Sequence, residues 1–285
     1  MNKIFNIHRL LITLRWDLLA YWKKYVRNVL GLAFAFAFIC IVHQYNWHEN
    51  TPEAQMQLTD VYLSNISGTF FCVAFLLFLV CGASIFNNMR TKQSRATFLM
   101  LPASNLEKFV SRFLWVTVGC LVMLLASLVI TDVIQYVFSW FITPHMHGSL
   151  TASFFEEIFC SKSLDSSSDV IVVNHHSVMS NYFPKWALMF SVLAYCHSFF
   201  TLGGSIFRKY TVILTVVSSF VLMFLLTIVF NLIGSDTVVY FIKDLGPYNI
   251  GYVMIVLCII LSVFNYWLSY KLFTRMQVIN NKWLN

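Results

Sequence analysis

Phe113 to Phe138 reads FLWVTVGCLVMLLASLVITDVIQYVF, and a single charge, Asp132, interrupts it. The run is apolar on all faces, unlike a soluble helix that hides one stripe. It is also longer than the roughly 20 residues that cross a hydrocarbon core of ~30 Å. It therefore reads as a transmembrane helix. Five more runs read the same way: Val26–Tyr45, Ile66–Phe86, Trp186–Phe207, Tyr210–Ile233 and Ile250–Tyr270. The expected fold class is all-α, a polytopic membrane protein with six transmembrane helices in one domain over residues 1–285. Spans four and five are joined by a tight basic turn, so they are expected to be antiparallel neighbours. Tyr136, Trp140, Trp186 and Tyr210 fall at run ends, where an aromatic belt places them.

Composition agrees. Hydrophobic residues make up 59% of the chain and charged ones 11%, with a mean hydropathy of +0.71. Soluble domains are typically about 25% charged. The net charge of +7 is sorted by side. All lysines and arginines except Lys162, Lys185 and Lys243 fall in the N-terminal stretch, the second and fourth connections, or the tail. Those segments are expected to be cytoplasmic, because Lys and Arg accumulate there. Insertion already explains the charge, so nucleic-acid binding is not invoked. Six of the seven cysteines lie in apolar runs without CxxC spacing and read as packing residues. Cys160 stands alone on the outer side. The Ala33-Phe34-Ala35 triplet lies inside the first apolar run rather than after it. The run therefore reads as a retained span, not a signal peptide.

Outward from the spans, residues 4–25 repeat Ile7, Leu11, Leu14, Leu18, Trp22 and Tyr25 at helical spacing. Arg9, Thr13, Asp17 and Lys24 fall on the other face. This predicts an amphipathic interfacial helix that turns sharply into span one. The connection over residues 142–183 is expected outside, with a short helix capped by Ser153 and Glu156 and a short strand at Val170–Val173. Asp132 is expected to be solvated.

The most informative connection is residues 87–112, between spans two and three. It contains Asn87-Asn88-Met89-Arg90-Thr91-Lys92-Gln93-Ser94-Arg95-Ala96-Thr97-Phe98-Leu99-Met100-Leu101-Pro102-Ala103-Ser104-Asn105-Leu106-Glu107-Lys108. Ser104 and Glu107 have capping-box spacing, and Pro102 stops the preceding helix. The expected result is a rigid helical corner, with Phe98, Leu99 and Leu101 available to pack.

The order of parts resembles the permease subunits of ABC-2-type ABC transporters: amphipathic helix, two spans, a basic Leu-Pro-Ala-Ser-x-x-Glu-Lys corner over Leu101–Lys108, then four spans. The likeness covers essentially the whole chain. It implies a bacterial inner-membrane subunit with both termini cytoplasmic, working as a homodimer or beside a similar permease, among membrane lipids. It also implies a separate cytoplasmic ATPase that binds ATP and Mg²⁺ and contacts the N-terminal helix and the corner. The coupling candidates it marks are Arg90, Lys92, Arg95, Phe98, Leu99, Leu101, Ser104 and Glu107. Family members often carry re-entrant helices before the last span. The Gly234–Asn249 connection is short, and its Val238–Ile242 run is the candidate for one.

No catalytic, cofactor or metal site is expected on the chain itself. It lacks a G-x-x-x-x-G-K-[ST] phosphate loop, and Gly203-Gly204 leads only into Ser205. His145, His147, His175 and His176 lack a recognised ligand spacing. His197, beside Tyr195 and Cys196 in span four, is the intramembrane polar candidate. No span centre carries Asp or Glu, which weighs against a proton- or sodium-coupled carrier. The competing readings are a non-enzymatic membrane scaffold or assembly protein, and an ATPase-independent channel or carrier.

Overall fold

A computed structural model of the chain describes residues 5–46, 51–89, 92–144, 148–159, 185–207, 209–233 and 247–278. It is all-helical, with no strand among the described residues. The helices are α1 (Ile7–Tyr45), α2 (Pro52–Ala83), α3 (Lys92–Leu99), α4 (Asn105–Leu114), α5 (Cys120–Ile142), α6 (Leu150–Phe159), α7 (Lys185–Ile206), α8 (Thr211–Ile233) and α9 (Pro247–Val278). A π-turn, Trp115–Gly119, joins α4 to α5 as one helical run. Among the described residues, six helical runs are long and apolar enough to cross a membrane, matching the six expected spans. The Val170–Val173 strand and the Val238–Ile242 segment lie outside the described residues.

Two expectations need correction at the helix level. The amphipathic segment is not a separate helix: α1 runs unbroken for 39 residues from Ile7 to Tyr45. Amphipathic spacing identifies a helix but says nothing of where it ends. Tyr21–Leu30 contains no glycine or proline that would break one. The face bearing Thr13 and Asp17 is buried, while Ile7, Leu11, Leu18 and Trp22 are exposed. Second, α2 starts at Pro52, well before Ile66. Proline suits a first helical position, and Thr51 Oγ1 accepts from the Ala54 N–H at 3.4 Å. Glu53, Gln55 and Asp60 in the first turns hid this extension from hydropathy.

The chain divides into two compact units. One comprises residues 14–78 and 117–169. Its core joins Phe36, Cys40, Tyr62, Phe70, Leu128 and Phe154. The Phe36 and Phe70 rings lie 4.7 Å apart, and the Phe154 ring meets Phe70 edge-on at 5.4 Å. Beside this core, Gln44 Nε2 and Tyr62 Oη both donate to Gln135 Oε1, at 3.0 and 3.3 Å. Helices in lipid gain little from apolar contact with each other, so such interhelical hydrogen bonds specify their packing.

Asp132 belongs to this unit, and it is not simply solvated. Its carboxylate accepts from the backbone N–H groups of Leu150 (2.8 Å) and Thr151 (3.2 Å) and from the hydroxyls of Ser149 (2.8 Å) and Thr151 (2.7 Å). It thereby caps α6, whose first N–H groups have no intrahelical acceptor. The expected Ser153–Glu156 capping box is replaced: Ser153 sits inside α6 and donates back to Ser149 O at 3.2 Å.

The other unit comprises residues 1–13, 79–116 and 170–285. Here α7 packs along α9 and, near its end, against α8. Buried Ser198, Thr201, Ser205, Ser262 and Ser269 mark small polar seams in these spans, and Asn265 Nδ2 donates to Ser198 Oγ across α9 and α7 at 3.1 Å. Gly203 and Gly204 are packing residues. A Cβ at Gly203 would collide with the Thr215 side chain, and one at Gly204 with the Ala83 carbonyl oxygen. Small residues of this kind let transmembrane backbones approach closely.

Candidate functional site

The corner of residues 87–112 lies wholly in this second unit. A 3₁₀ turn, Asn87–Met89, leads towards α3, and α3 ends at Leu99. Ser104 then opens α4 as the N-cap, with extended backbone. The capping box is complete: the Glu107 N–H donates to Ser104 Oγ at 3.3 Å, and the Ser104 N–H donates to Glu107 Oε2 at 2.7 Å. This is the local arrangement that the Ser104-x-x-Glu107 spacing predicts.

Glu107 does more than cap its own helix. Its other oxygen, Oε1, accepts from the Asn6 backbone N–H at 2.7 Å and from Arg9 Nη2 at 3.0 Å. The carboxylate is fully buried, so one side chain binds the start of α1 to the start of α4. Three of its partners come from backbone N–H groups and a guanidinium, donors that stabilise a buried charge. The resemblance links these two segments only through a shared ATPase; the direct bond between them has no local sequence signal.

The rest of the corner is stitched by its own cations. Lys108 Nζ donates to the Leu99 carbonyl at 2.7 Å, satisfying the end of α3. The Arg112 guanidinium lies 4.7 Å from the centre of the Phe98 ring, a cation–π contact. Both cations are buried, as are Phe98 and Glu107. Arg95 is half-buried, and its Nε donates to Met89 O at 3.3 Å. Leu99, Leu101 and Ser104 are half-buried. Arg90 lies outside the described residues, as does the side chain of Lys92.

This redistributes the coupling candidates. Phe98 is 1% exposed and Glu107 0% exposed, so both hold the corner together from within. The outward surface of α3 and its end is made by Gln93, Ala96, Thr97 and Met100. Met100, at 83% exposure, was not among the candidates. Its position directly before the Leu101-Pro102 stop was the available signal.

His197 lies away from the corner on α7, 1% exposed. Its Nδ1 is 2.9 Å from the Tyr266 hydroxyl of α9. Gly82 leaves room for it: a Cβ there would come within 3.2 Å of the His197 carbonyl oxygen and 3.3 Å of its ring. Tyr266 in turn meets the Phe113 ring edge-on at 4.9 Å. The pair ties α7 to α9 at the level of α2.

Among the described residues no three His, Cys, Asp or Glu side chains gather as a metal site. His48, His145, His147, His175, His176 and Cys160 lie outside the described residues. The other six cysteines form no disulfide. Comparisons with protein-family models, with curated proteins and with solved structures find no match to this chain.

Proposed function

We propose that this chain is the membrane-spanning permease subunit of an ATP-driven ABC-2-type exporter, in the bacterial inner membrane. A separate cytoplasmic ATPase binds ATP and Mg²⁺ and drives alternating access through the corner. The observation that carries this reading is the buried Glu107 carboxylate, which fastens residues 6–9 to the start of α4. The resemblance assigns ATPase contact to the N-terminal segment and to the corner. A shared buried anchor makes the two respond as one body to a push on either. The exposed surface around Met100 is the contact patch, and Phe98, Ser104, Glu107 and Arg112 form the rigid mount behind it. Dimerisation with the same or a similar permease belongs to this reading as what the resemblance implies. Apolar, nearly charge-free spans suit an amphipathic or hydrophobic cargo.

The test is purification of the tagged chain from its native membrane with whatever ATPase it retains, followed by Met100→Asp. An exposed substitution leaves folding within about 0.5 kcal/mol. Recovery of the ATPase should nevertheless fall roughly tenfold, the loss of one central apolar contact worth about 1.4 kcal/mol. If no ATPase is retained by the wild-type chain, or if Met100→Asp retains it fully, the reading is wrong.

A further inference from the structure

A cavity of about 370 Å³ opens where α2 and α7 end and α8 begins. That volume is in the range of sites for small ligands, about 300–1,000 Å³. Val80, Ala83, Phe207, Val212 and Ile213 supply apolar wall. Arg95, Asn87 and Tyr210 supply polar groups to the same lining. The whole lining belongs to one compact unit.

Three features distinguish this cavity from an ordinary gap between helices. First, Arg95 is a cation with no carboxylate partner among the described residues: its Nε donates to a backbone carbonyl, and the ion pair there is between Arg9 and Glu107. Second, a further cation is adjacent, since Lys209 Nζ lies 5.6 Å from the Tyr210 ring centre. Third, Tyr210 has φ 56°, a left-handed conformation that a bulky residue rarely takes. The α7–α8 turn holds an aromatic residue at the cavity edge where glycine would be relaxed.

Apolar walls at span ends, with Arg95 in the lining and Lys209 beside the lining residue Tyr210, match one kind of molecule. It must have an anionic head at the membrane surface and an apolar tail inside. We propose that this cavity binds an anionic phospholipid of the leaflet that the basic corner faces, with the phosphate on Arg95 and an acyl chain along Val80, Phe207 and Val212. Basic pockets between transmembrane helices take anionic headgroups by this logic. A soluble phosphate compound would use Arg95 and leave the apolar wall empty. The inference does not depend on an ATPase partner.

The experiment places the full chain in phosphatidylcholine nanodiscs doped with a photoactivatable phosphatidylglycerol, and maps labelled peptides by mass spectrometry. Labelling is expected on peptides containing Arg95 or Tyr210, above that by a matched phosphatidylcholine probe. Arg95→Gln should lower it about fivefold, the factor for one basic contact at an anionic surface. Arg95→Lys should keep most of it, and Lys24→Gln, at an exposed residue of the other unit, should leave it unchanged. Val212→Trp fills the wall and should also lower labelling. If Val212→Trp disturbs the helical content, Arg95→Gln alone decides. Equal labelling by the two probes overturns the proposal. So does undiminished labelling in Arg95→Gln or in a folded Val212→Trp, or displacement by soluble glycerol phosphate.

Discussion

Glu107 and Asp132 solve the same problem in different surroundings. Each is a carboxylate that caps a helix start and ties together two segments distant in sequence. Glu107 has Ser104, Asn6 and Arg9. Asp132 has Ser149, Leu150 and Thr151, and also Gln135 Nε2 at 3.2 Å. By bond count Asp132 is the better anchored. By burial Glu107 is: it is fully enclosed, while Asp132 is half-buried. The two lead to opposite expectations about which matters more. Water can replace a lost partner at a half-exposed site, whereas a donor orphaned in a closed one bears the full desolvation cost.

Glu107→Ala is therefore expected to have the largest effect. It orphans two backbone N–H groups, those of Asn6 and Ser104, where the side chain that they bond is fully buried. The cost is about 3 kcal/mol, from two charge-assisted bonds of roughly 1.5 kcal/mol or more each. Unfolding in mixed detergent micelles measures it. The corresponding Asp132→Ala should cost about 1–2 kcal/mol, the range for losing a helix N-cap. If Asp132→Ala proves the more damaging, bond count and not burial sets the value of these anchors.

Asp132 can be isolated further by hydrogen exchange. Asp132→Asn keeps the size of the side chain but removes the charge that complements the positive start of α6. Faster exchange is expected for the amides of Leu150 and Thr151, with Phe36, Phe70 and Leu128 in the adjoining core still protected. Loss of protection throughout that core would mean that Asp132 holds the unit together and not merely one helix.

The contrast also explains what the sequence made legible. Ser104 and Glu107 are three residues apart, so their reciprocal bonds follow from local geometry and the corner was readable. Their long-range partners Asn6 and Arg9 were not, because no local pattern records which distant donors a carboxylate collects. Asp132 was misread for the same reason: it lies within α5 and caps another helix, α6. The unbroken α1 shows a second limit, since a change from amphipathic to apolar composition need not be a break in the backbone. Phe98 shows a third. An aromatic residue in a basic connection looks available for docking until Arg112, two turns of α4 beyond the stop, is found stacked on it. The six spans were legible because hydropathy is a sum over each segment and needs no partner.

Ser104→Ala tests the readable part of the corner alone. It removes the hydroxyl that accepts from the Glu107 N–H but leaves the carboxylate with Asn6 and Arg9. The expected cost is about 1 kcal/mol, typical of an N-cap. A cost equal to that of Glu107→Ala would mean that the long-range bonds form only once the cap is in place.

The smallest effect belongs to Arg9→Ala, and its salt dependence is the sharpest difference between the two anchors. Arg9 retains 39% side-chain exposure, so its pairing with Glu107 is screened and should contribute no more than about 0.5–1 kcal/mol. The Asn6 N–H and the Ser104 N–H remain to hold the carboxylate in the variant. Among the described residues no Lys or Arg pairs with Asp132. Raising the salt to about 0.5 M shortens the screening length to a few ångströms. It should therefore weaken the wild-type corner slightly, leave Arg9→Ala unmoved, and leave the α6 cap unmoved in both. Exchange of the Asn6 and Leu150 amides in one experiment reports both anchors. A salt response at Leu150 equal to that at Asn6 would mean that general screening of the chain, and not the Arg9–Glu107 pair, is being measured.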